Sequence, residues 1–365
     1  MKKVLFIAPS PLYLEKGSSL RMYSILEKLA KHYKIDLVTY SLGRKFKIKN
    51  VNIHRTPLWF KPKLPVGKPT FSKILLDFFM WIKTIKLSLF NKYEIIHCED
   101  FEGIGIGYFT SLLNRNSKYV YDLHNRILDN LHLNSKPKKI RDSLLLFLEK
   151  LFVKKSDKII LNWRIYEKDP IFSNKKKFLF YDELNTLCKK IDFPKGKYLI
   201  YTGNFEKYQG VEEFLKSFKE IGNKIKIVLV GEPTEKLKYF IKKNGLTKKI
   251  MLIGKKKIEE TNFLIKKALF AILPRIKGVQ PSMKLIHYLV LDKPILAKNI
   301  SCNKELLIED KNSLFYSSKK ELEKKLKLLI SDKRLLSMLK KGAKRTKKEI
   351  LRIWDNRRFI KEYEK

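Results

Sequence analysis

The sequence predicts an α/β protein made of two doubly wound parallel sheets, on three observations. A strand–loop–helix unit is spelled out twice. VLFIAPS (Val4–Ser10) runs through a loop containing Gly17-Ser18-Ser19 into LRMYSILEKLAKHY, and YLIYTG runs through NFEKYQG into VEEFLKSF. Each unit is followed by another apolar run, KIDLVTY or KIKIVLVG, so both halves open as β-α-β. The length of 365 residues is enough for two domains with separate cores, and 44% hydrophobic residues with 23 Phe argue for folded structure throughout.

The elements follow in order. VNIHRTPL reads as a strand, and a Pro- and Lys-rich stretch, FKPKLPVGKP, comes next. Thr70–Tyr93 reads as a long helix, apolar over most of its circumference, with Lys73, Lys83, Lys86 and Lys92 among Phe, Trp and Leu. It is expected to pack on the sheet; the alternative is that its edge, with the basic loop before it, touches a membrane surface. YEIIHCED is a strand with a polar end, and the Gly-rich FEGIGIGYF opens a helix. KYVYDLHNR is a strand that places Asp122, His124 and Asn125 at its carboxyl end. IRDSLLLFLEKLFVKKSD is an amphipathic helix and KIILNW another strand.

From Arg164 to Pro194 the pattern is poor, and the linker is expected there. The second half alternates YLIYTG, KIKIVLVGE, KIMLIG, LFAILPR, DKPILA and NSLFY with helices, which predicts a second parallel sheet. The expected domains are therefore 1–185 and 195–345, with 346–365 as one terminal helix. Ile350, Leu351, Trp354, Phe359 and Tyr363 supply the apolar side of that helix.

Charge is the outlier: 80 Lys+Arg against 37 Asp+Glu gives +43, a surface that attracts polyanions or anionic lipid, or a lysine bias that merely solvates it. Cys98, Cys188 and Cys302 lie far apart and form no CxxC pair, which fits a reducing cytosol and argues against a zinc site or disulfide framework. The apolar start MKKVLFIAPSP is too short for a signal sequence and reads as the first buried strand. No stretch reaches the roughly 18 apolar residues of a membrane span. The chain carries no GxxxxGK[ST], HExxH or GxSxG motif, and GIGIG at 103–107 lacks dinucleotide spacing. In open parallel sheets the loops at the carboxyl ends of strands line the ligand site, and helix N-termini there favour phosphate.

An ordered set of motifs resembles the GT-B fold glycosyltransferases, specifically the retaining family 4. SPLYLEKGSSLRMYSILEKL, IIHCED, YDLHNR, YTGNFEKYQGVEEF, the VLVGE strand, GVQPSMKLIHYLVLDKPILA and the terminal ILRIWDNRR follow one another as in that family and cover nearly the whole chain. The resemblance implies two Rossmann-like domains facing a cleft, the second holding a nucleotide-diphospho-sugar, the first shaping the acceptor pocket, and a tail helix crossing back to the first. It implies glycosyl transfer with retention and no metal, the departing diphosphate being stabilised by fixed donors. The departures are specific. Where the family carries an Arg after the first loop glycine and a Lys before the second, this chain has Asn204 and Gln209. Val279 and His287 stand where the family has two glutamates. A subset of the family, with GxFExYQG in the loop and PRxxG…P.K..YL in place of the paired glutamates, is closer.

On that resemblance the donor contacts are Gly17, Ser18, Gly203, Asn204, Gln209, Gly210, Arg275, Gly278, Ser282 and His287. Lys284 and Arg275 are the cations for the diphosphate, Lys284 the better one because it precedes the helix pattern LIHYLVL. His124 is expected to contact the transferred sugar or acceptor, and Asp100 acceptor hydroxyls, with Glu102 as a further candidate; His97 is a strand-end residue. Each has a plainer reading: His124 as an ordinary histidine, Gly17 and Ser18 as a turn, His287 as buried packing. The expected partners are a nucleotide-sugar donor, a glycan or lipid-linked acceptor and an anionic membrane surface, with no specific nucleic acid. The expected location is cytoplasmic, peripheral at the inner face of the membrane. Two other readings are a nucleotide-sugar epimerase of the same fold and a non-catalytic polyanion-binding relative.

Overall fold

A computed structural model describes residues 1–12, 17–43, 46–57, 70–134, 137–193, 196–219 and 225–365, with the side chains of 17, 18, 130 and 132–134 left aside. The basic stretch expected to accompany the long helix at a membrane, and the loop before Gly17, lie outside the described residues. The chain divides into two compact units, Met1–Glu183 with Ile353–Lys365, and Leu184–Arg352.

The first unit runs β1 (Lys3–Ala8), α1 (Gly17–Leu29), β2 (Lys34–Thr39), β3 (Val51–Arg55), α2 (Phe71–Phe90), β4 (Ile95–Glu99), α3 (Asp100–Leu113), β5 (Lys118–Leu123), α4 (Ile127–Asn134), α5 (Lys139–Lys155), β6 (Lys158–Leu161) and β7 (Lys176–Leu179). Its strands form one parallel sheet ordered β3-β2-β1-β4-β5-β6-β7. The order reverses between β1 and β4, the switch point at which open α/β sheets place ligands. β1, β4 and the inner part of β5 are buried, as their unbroken apolar runs require. The helices α2, α3 and α5 lie side by side. GIGIG falls inside α3, not in a phosphate loop; a Cβ at Gly107 would collide with Cys98, so glycine lets helix and sheet approach closely.

β7 corrects the expected linker. Residues 176–179 add a seventh strand at the sheet edge, where an exposed Lys176 and a half-buried Lys177 break the apolar run that marks interior strands. The crossover to the second unit comes only at Glu183–Leu184.

The second unit runs β8 (Tyr198–Thr202), α6 (Val211–Phe218), β9 (Lys226–Val230), α7 (Glu235–Lys243), β10 (Ile250–Gly254), α8 (Ile258–Lys267), β11 (Ala271–Leu273), α9 (Met283–Val290), β12 (Ile295–Lys298), β13 (Ser313–Tyr316), α10 (Lys319–Ser331) and α11 (Lys333–Ile353). Its sheet is also all parallel, ordered β10-β9-β8-β11-β12-β13, around a core that includes Tyr201, Phe214, Leu229 and Ile272.

The tail is two helices rather than the expected one. After α11 the Asp355 side chain accepts from the Arg358 N–H at 2.8 Å, capping a new helix, α12 (Asn356–Glu364). Leu351 is exposed, unlike Ile350 and Trp354. α12 packs into the first unit: Phe359 meets Phe180 with ring centroids 4.7 Å apart, and Trp354 Nε1 donates to the Tyr181 carbonyl at 3.1 Å. No helix among the described residues is long and apolar enough to cross a membrane.

Candidate active site

In the first unit, the carboxyl end of the sheet gathers a buried ionic network. The parallel register of β4 and β5 sets Glu99 beside Asp122. Arg21, on α1, reaches Asp122 with Nη2 at 2.6 Å and Nε at 3.0 Å, Asp182 with Nη1 at 3.1 Å and the Phe180 carbonyl at 2.5 Å. His124 lies among three carboxylates: Nε2 is 3.4 Å from Asp122 and 4.0 Å from Glu99, and Nδ1 is 3.5 Å from Asp100. His97 stacks on Phe6 at 4.0 Å and its Nδ1 is 3.1 Å from the Tyr363 hydroxyl.

The charges in this network set one another. Burial disfavours the His124 cation, but Asp100 and Asp122, then Glu99, outweigh it and hold the imidazole up at about 10. Burial also raises Asp122, yet Arg21 and His124 keep its carboxyl well below the usual range. Glu99 goes the other way: burial lifts it well above the carboxylate range, against the pull of His124. Asp100 opens α3 with φ of 55°, a left-handed conformation rare outside glycine, and its side chain keeps about a third of its exposure (30%). The distances around His124 are long for hydrogen bonds, so an incoming hydroxyl competes with loosely held partners.

Glu99, Asp122 and His124 bring three ligand-type atoms within 4.8 Å of one another. Within this set both Asp122 oxygens already accept from Arg21.

In the second unit, β8 is followed by Gly203, with φ of 117°, and a loop leads to Gly210, with φ of 65°, at the N-terminus of α6. A Cβ at Gly203 would collide with the Lys284 side chain and one at Gly210 with the Pro274 carbonyl, so the loop folds tightly over what lies beneath. What lies beneath is Lys284. Its Nζ donates to Gln209 Oε1 at 2.8 Å and to the Tyr201 hydroxyl at 3.0 Å, and sits 4.8 Å from the Tyr201 ring centroid. Burial, then the nearby Arg275, pull the ammonium down to about 7. The expected loop lysine is thus replaced in space: Gln209 supplies an amide, and a lysine from the start of α9 brings the cation to it.

Arg275 is engaged elsewhere, donating to the Lys277 carbonyl at 2.9 Å and the Gln280 carbonyl at 3.0 Å while its guanidinium lies over Tyr208. It clamps the turn at Gly278, where a Cβ would strike the guanidinium. His287 is buried: Nε2 is 2.6 Å from Asn262 Oδ1, and Asn262 donates onward to the carbonyls of Asn185 and Leu187. Burial lowers that imidazole to about 4. Ser282 is the N-cap of α9 without a side-chain cap bond, and Asn204 is exposed. Gly17 and Ser18 begin α1.

The structure thus joins His124 with Asp100 in the first unit, and Gly203, Gln209, Gly210 and Lys284 in the second. It adds Arg21, Glu99, Asp122, Asp182 and Tyr201, which sequence reasoning did not select as site residues.

These two parallel α/β units, each with polar groups at the carboxyl edge of its sheet, have the architecture of the GT-B glycosyltransferases. Residues 185–346 match the family model described as "Glycosyl transferases group 1". The chain is similar to sucrose-phosphate synthase from Thermosynechococcus elongatus at 14% identity, over 97% of this chain and 96% of that one, with a TM-score of 0.77. It is similar to HepE of Anabaena at 12% identity over 100% of both chains, with a TM-score of 0.73 for the structure in complex with UDP and glucose. A glycosyltransferase from Rickettsia africae matches at 13% identity over 99% of this chain and 97% of that one, with a TM-score of 0.69. At these identities the likeness shows the fold. No curated protein matches the sequence.

Proposed function

We propose that the protein is a retaining glycosyltransferase moving a sugar from a nucleotide-diphospho-sugar to a glycan or lipid-linked acceptor on the cytosolic side. The observation that carries this is Lys284 held beneath the Gly203–Gly210 loop by Gln209 and Tyr201. A cation with neutral hydrogen-bond partners, beside the N-terminus of α6, is suited to a diphosphate. In the transfer, the bond from the anomeric carbon to the diphosphate oxygen breaks, one to the acceptor oxygen forms, and the acceptor hydroxyl's proton passes to the departing diphosphate. Lys284 and the loop N–H groups stabilise the charge that develops on the leaving diphosphate, so no strong base and no metal are required. His124, held cationic by its carboxylates, and Asp100 at the accessible edge are assigned to hydroxyls of the sugar or acceptor.

The HepE structures with UDP and with UDP-glucose make uridine nucleotides the first donors to try. The test is a thermal-shift panel of UDP, GDP, ADP and their common sugars. One nucleotide at 100 times its dissociation constant is expected to add about 2.7 kcal/mol, and Lys284→Ala to cut that response by about half or more. A flat response to every nucleotide overturns the donor site. NMR of the first-formed anomer decides retention, and turnover in excess chelator decides metal independence.

A further inference from the structure

We infer that the outer face of α2, α3 and α5 docks on an anionic lipid surface. Each helix carries an exposed apolar stripe at helical spacing: Ile74, Phe78, Trp81 and Leu89 on α2; Phe109 and Leu113 on α3; Ile140, Leu144, Phe147 and Leu151 on α5. Phe78 is 50% exposed, Phe109 47% and Phe147 62%. The three helices are neighbours, and Trp81 meets Phe109 edge-on at 6.0 Å across α2 and α3, so the stripes adjoin. A soluble monomer rarely leaves so wide an apolar face uncovered.

Charge identifies the occupant. Every acidic side chain on these helices has a partner within the fold: Asp77 accepts from Tyr40, Asp100 faces His124, Glu102 pairs with Lys73, Asp142 with Arg141 and Glu149 with Arg126. The charges left exposed are all positive: Lys86, Lys139, Lys150, Lys154 and Lys155. Apolar stripes fringed only by lysine match the boundary between acyl chains and anionic headgroups. A second copy fits poorly, since a two-fold contact through this face would set lysines against lysines. Single-stranded nucleic acid would call for aromatic platforms along a basic groove, whereas six of the ten side chains on these stripes are Leu or Ile.

The inference deepens the proposed reading, because a lipid-linked acceptor would be met at that surface, but it rests on the helix layer alone. A chain that binds a nucleotide and ignores lipid loses only this inference; one that binds lipid and no nucleotide loses only the other. The test is flotation of the full chain with phosphatidylcholine vesicles, with and without about 30% phosphatidylglycerol. Binding is expected only with the anionic lipid and is expected to weaken as salt is raised. Phe78→Ser with Phe147→Ser is expected to weaken it at least about tenfold while melting and nucleotide response are kept. Failure to float with either vesicle overturns the inference. So does flotation unchanged in the double variant, which would mark diffuse charge alone, or a concentration-dependent dimer that the same substitutions dissolve without any vesicle binding.

Discussion

The two sheets end in polar clusters of opposite design. In the first unit, Arg21, Asp122, Asp182, Glu99 and His124 neutralise one another inside the protein, and only Asp100 keeps a substantial part of its side chain exposed. In the second, one cation, Lys284, rests on an amide and a phenol with no carboxylate among its bonded partners. The first cluster is paired mainly within itself, with Glu99 Oε1 and Asp100 Oδ1 left without a hydrogen bond, so its charges serve the fold as much as a ligand. The second is left short of negative charge, and that is the state in which a site can take up an anion. Taking ions out of water is costly even where partners are built in, and removing one partner of a buried pair costs more still.

The sharpest way to break this contrast is Arg21→Ala. Removing the guanidinium leaves Asp122 buried without its main partner, and a loss of about 3–5 kcal/mol of stability is expected by denaturant titration. A loss under about 1 kcal/mol would show that the network reorganises and is not the anchor described here. Lys284→Ala comes next, and acts on binding instead. Affinity for the nucleotide diphosphate is expected to fall by about 1.5–3 kcal/mol, tenfold or more by calorimetry, with the melting temperature nearly unchanged. Equal affinity in both proteins would remove Lys284 from the donor site.

Alkaline pH should move the two clusters in opposite directions. His124 is raised from 6.5 to about 10, so its contribution to stability is complete below 6.5 and is lost as pH climbs through 10. Lys284 is lowered from 10.5 to about 7, so the unfolded chain binds more protons over that window and this group favours folding increasingly as pH rises through it. Donor affinity should behave otherwise: level below about 7, then weakening as pH rises, because the diphosphate must recruit a proton to Lys284. Calorimetry at several pH values checks this, and Lys284→Arg should flatten the decline; a flat profile in the parent protein would mean that Lys284 is charged before the ligand arrives. The smallest effect belongs to Tyr201→Phe, expected to change donor affinity by about 1 kcal/mol through one hydrogen bond to Nζ. No measurable change would leave Gln209 as the sole partner that matters.

Interior strands were legible because they are apolar on both faces, and β1, β4, β8 and β9 fall where their runs predict. β7 was not, because an edge strand that opens on Lys176 and Lys177 resembles a loop in sequence. The helix break at Asp355 hid within a continuous periodic pattern. The Gly203–Gly210 loop and Lys284 could be picked out by resemblance, since glycines and a lysine keep their order along the chain. Arg21 and Tyr201 could not: Arg21 meets Asp122 and Asp182 from far along the chain, Tyr201 meets Lys284 in the same way, and only the sheet order makes them neighbours.

The placement of α12 bears on how the protein is made. The Tyr363 hydroxyl lies 3.1 Å from His97, Phe359 fills against Phe178 and Phe180, and Lys28 donates to the Trp354 carbonyl at 3.0 Å. These contacts join the two ends of a stretch interrupted by the whole second unit. On the ribosome the first sheet is therefore translated early but sealed late, after residues 184–352 have emerged. For that interval its apolar flank depends on what else can cover it. A nascent chain stalled at residue 352 should be cleaved readily within the first unit, and one extended through Lys365 should resist.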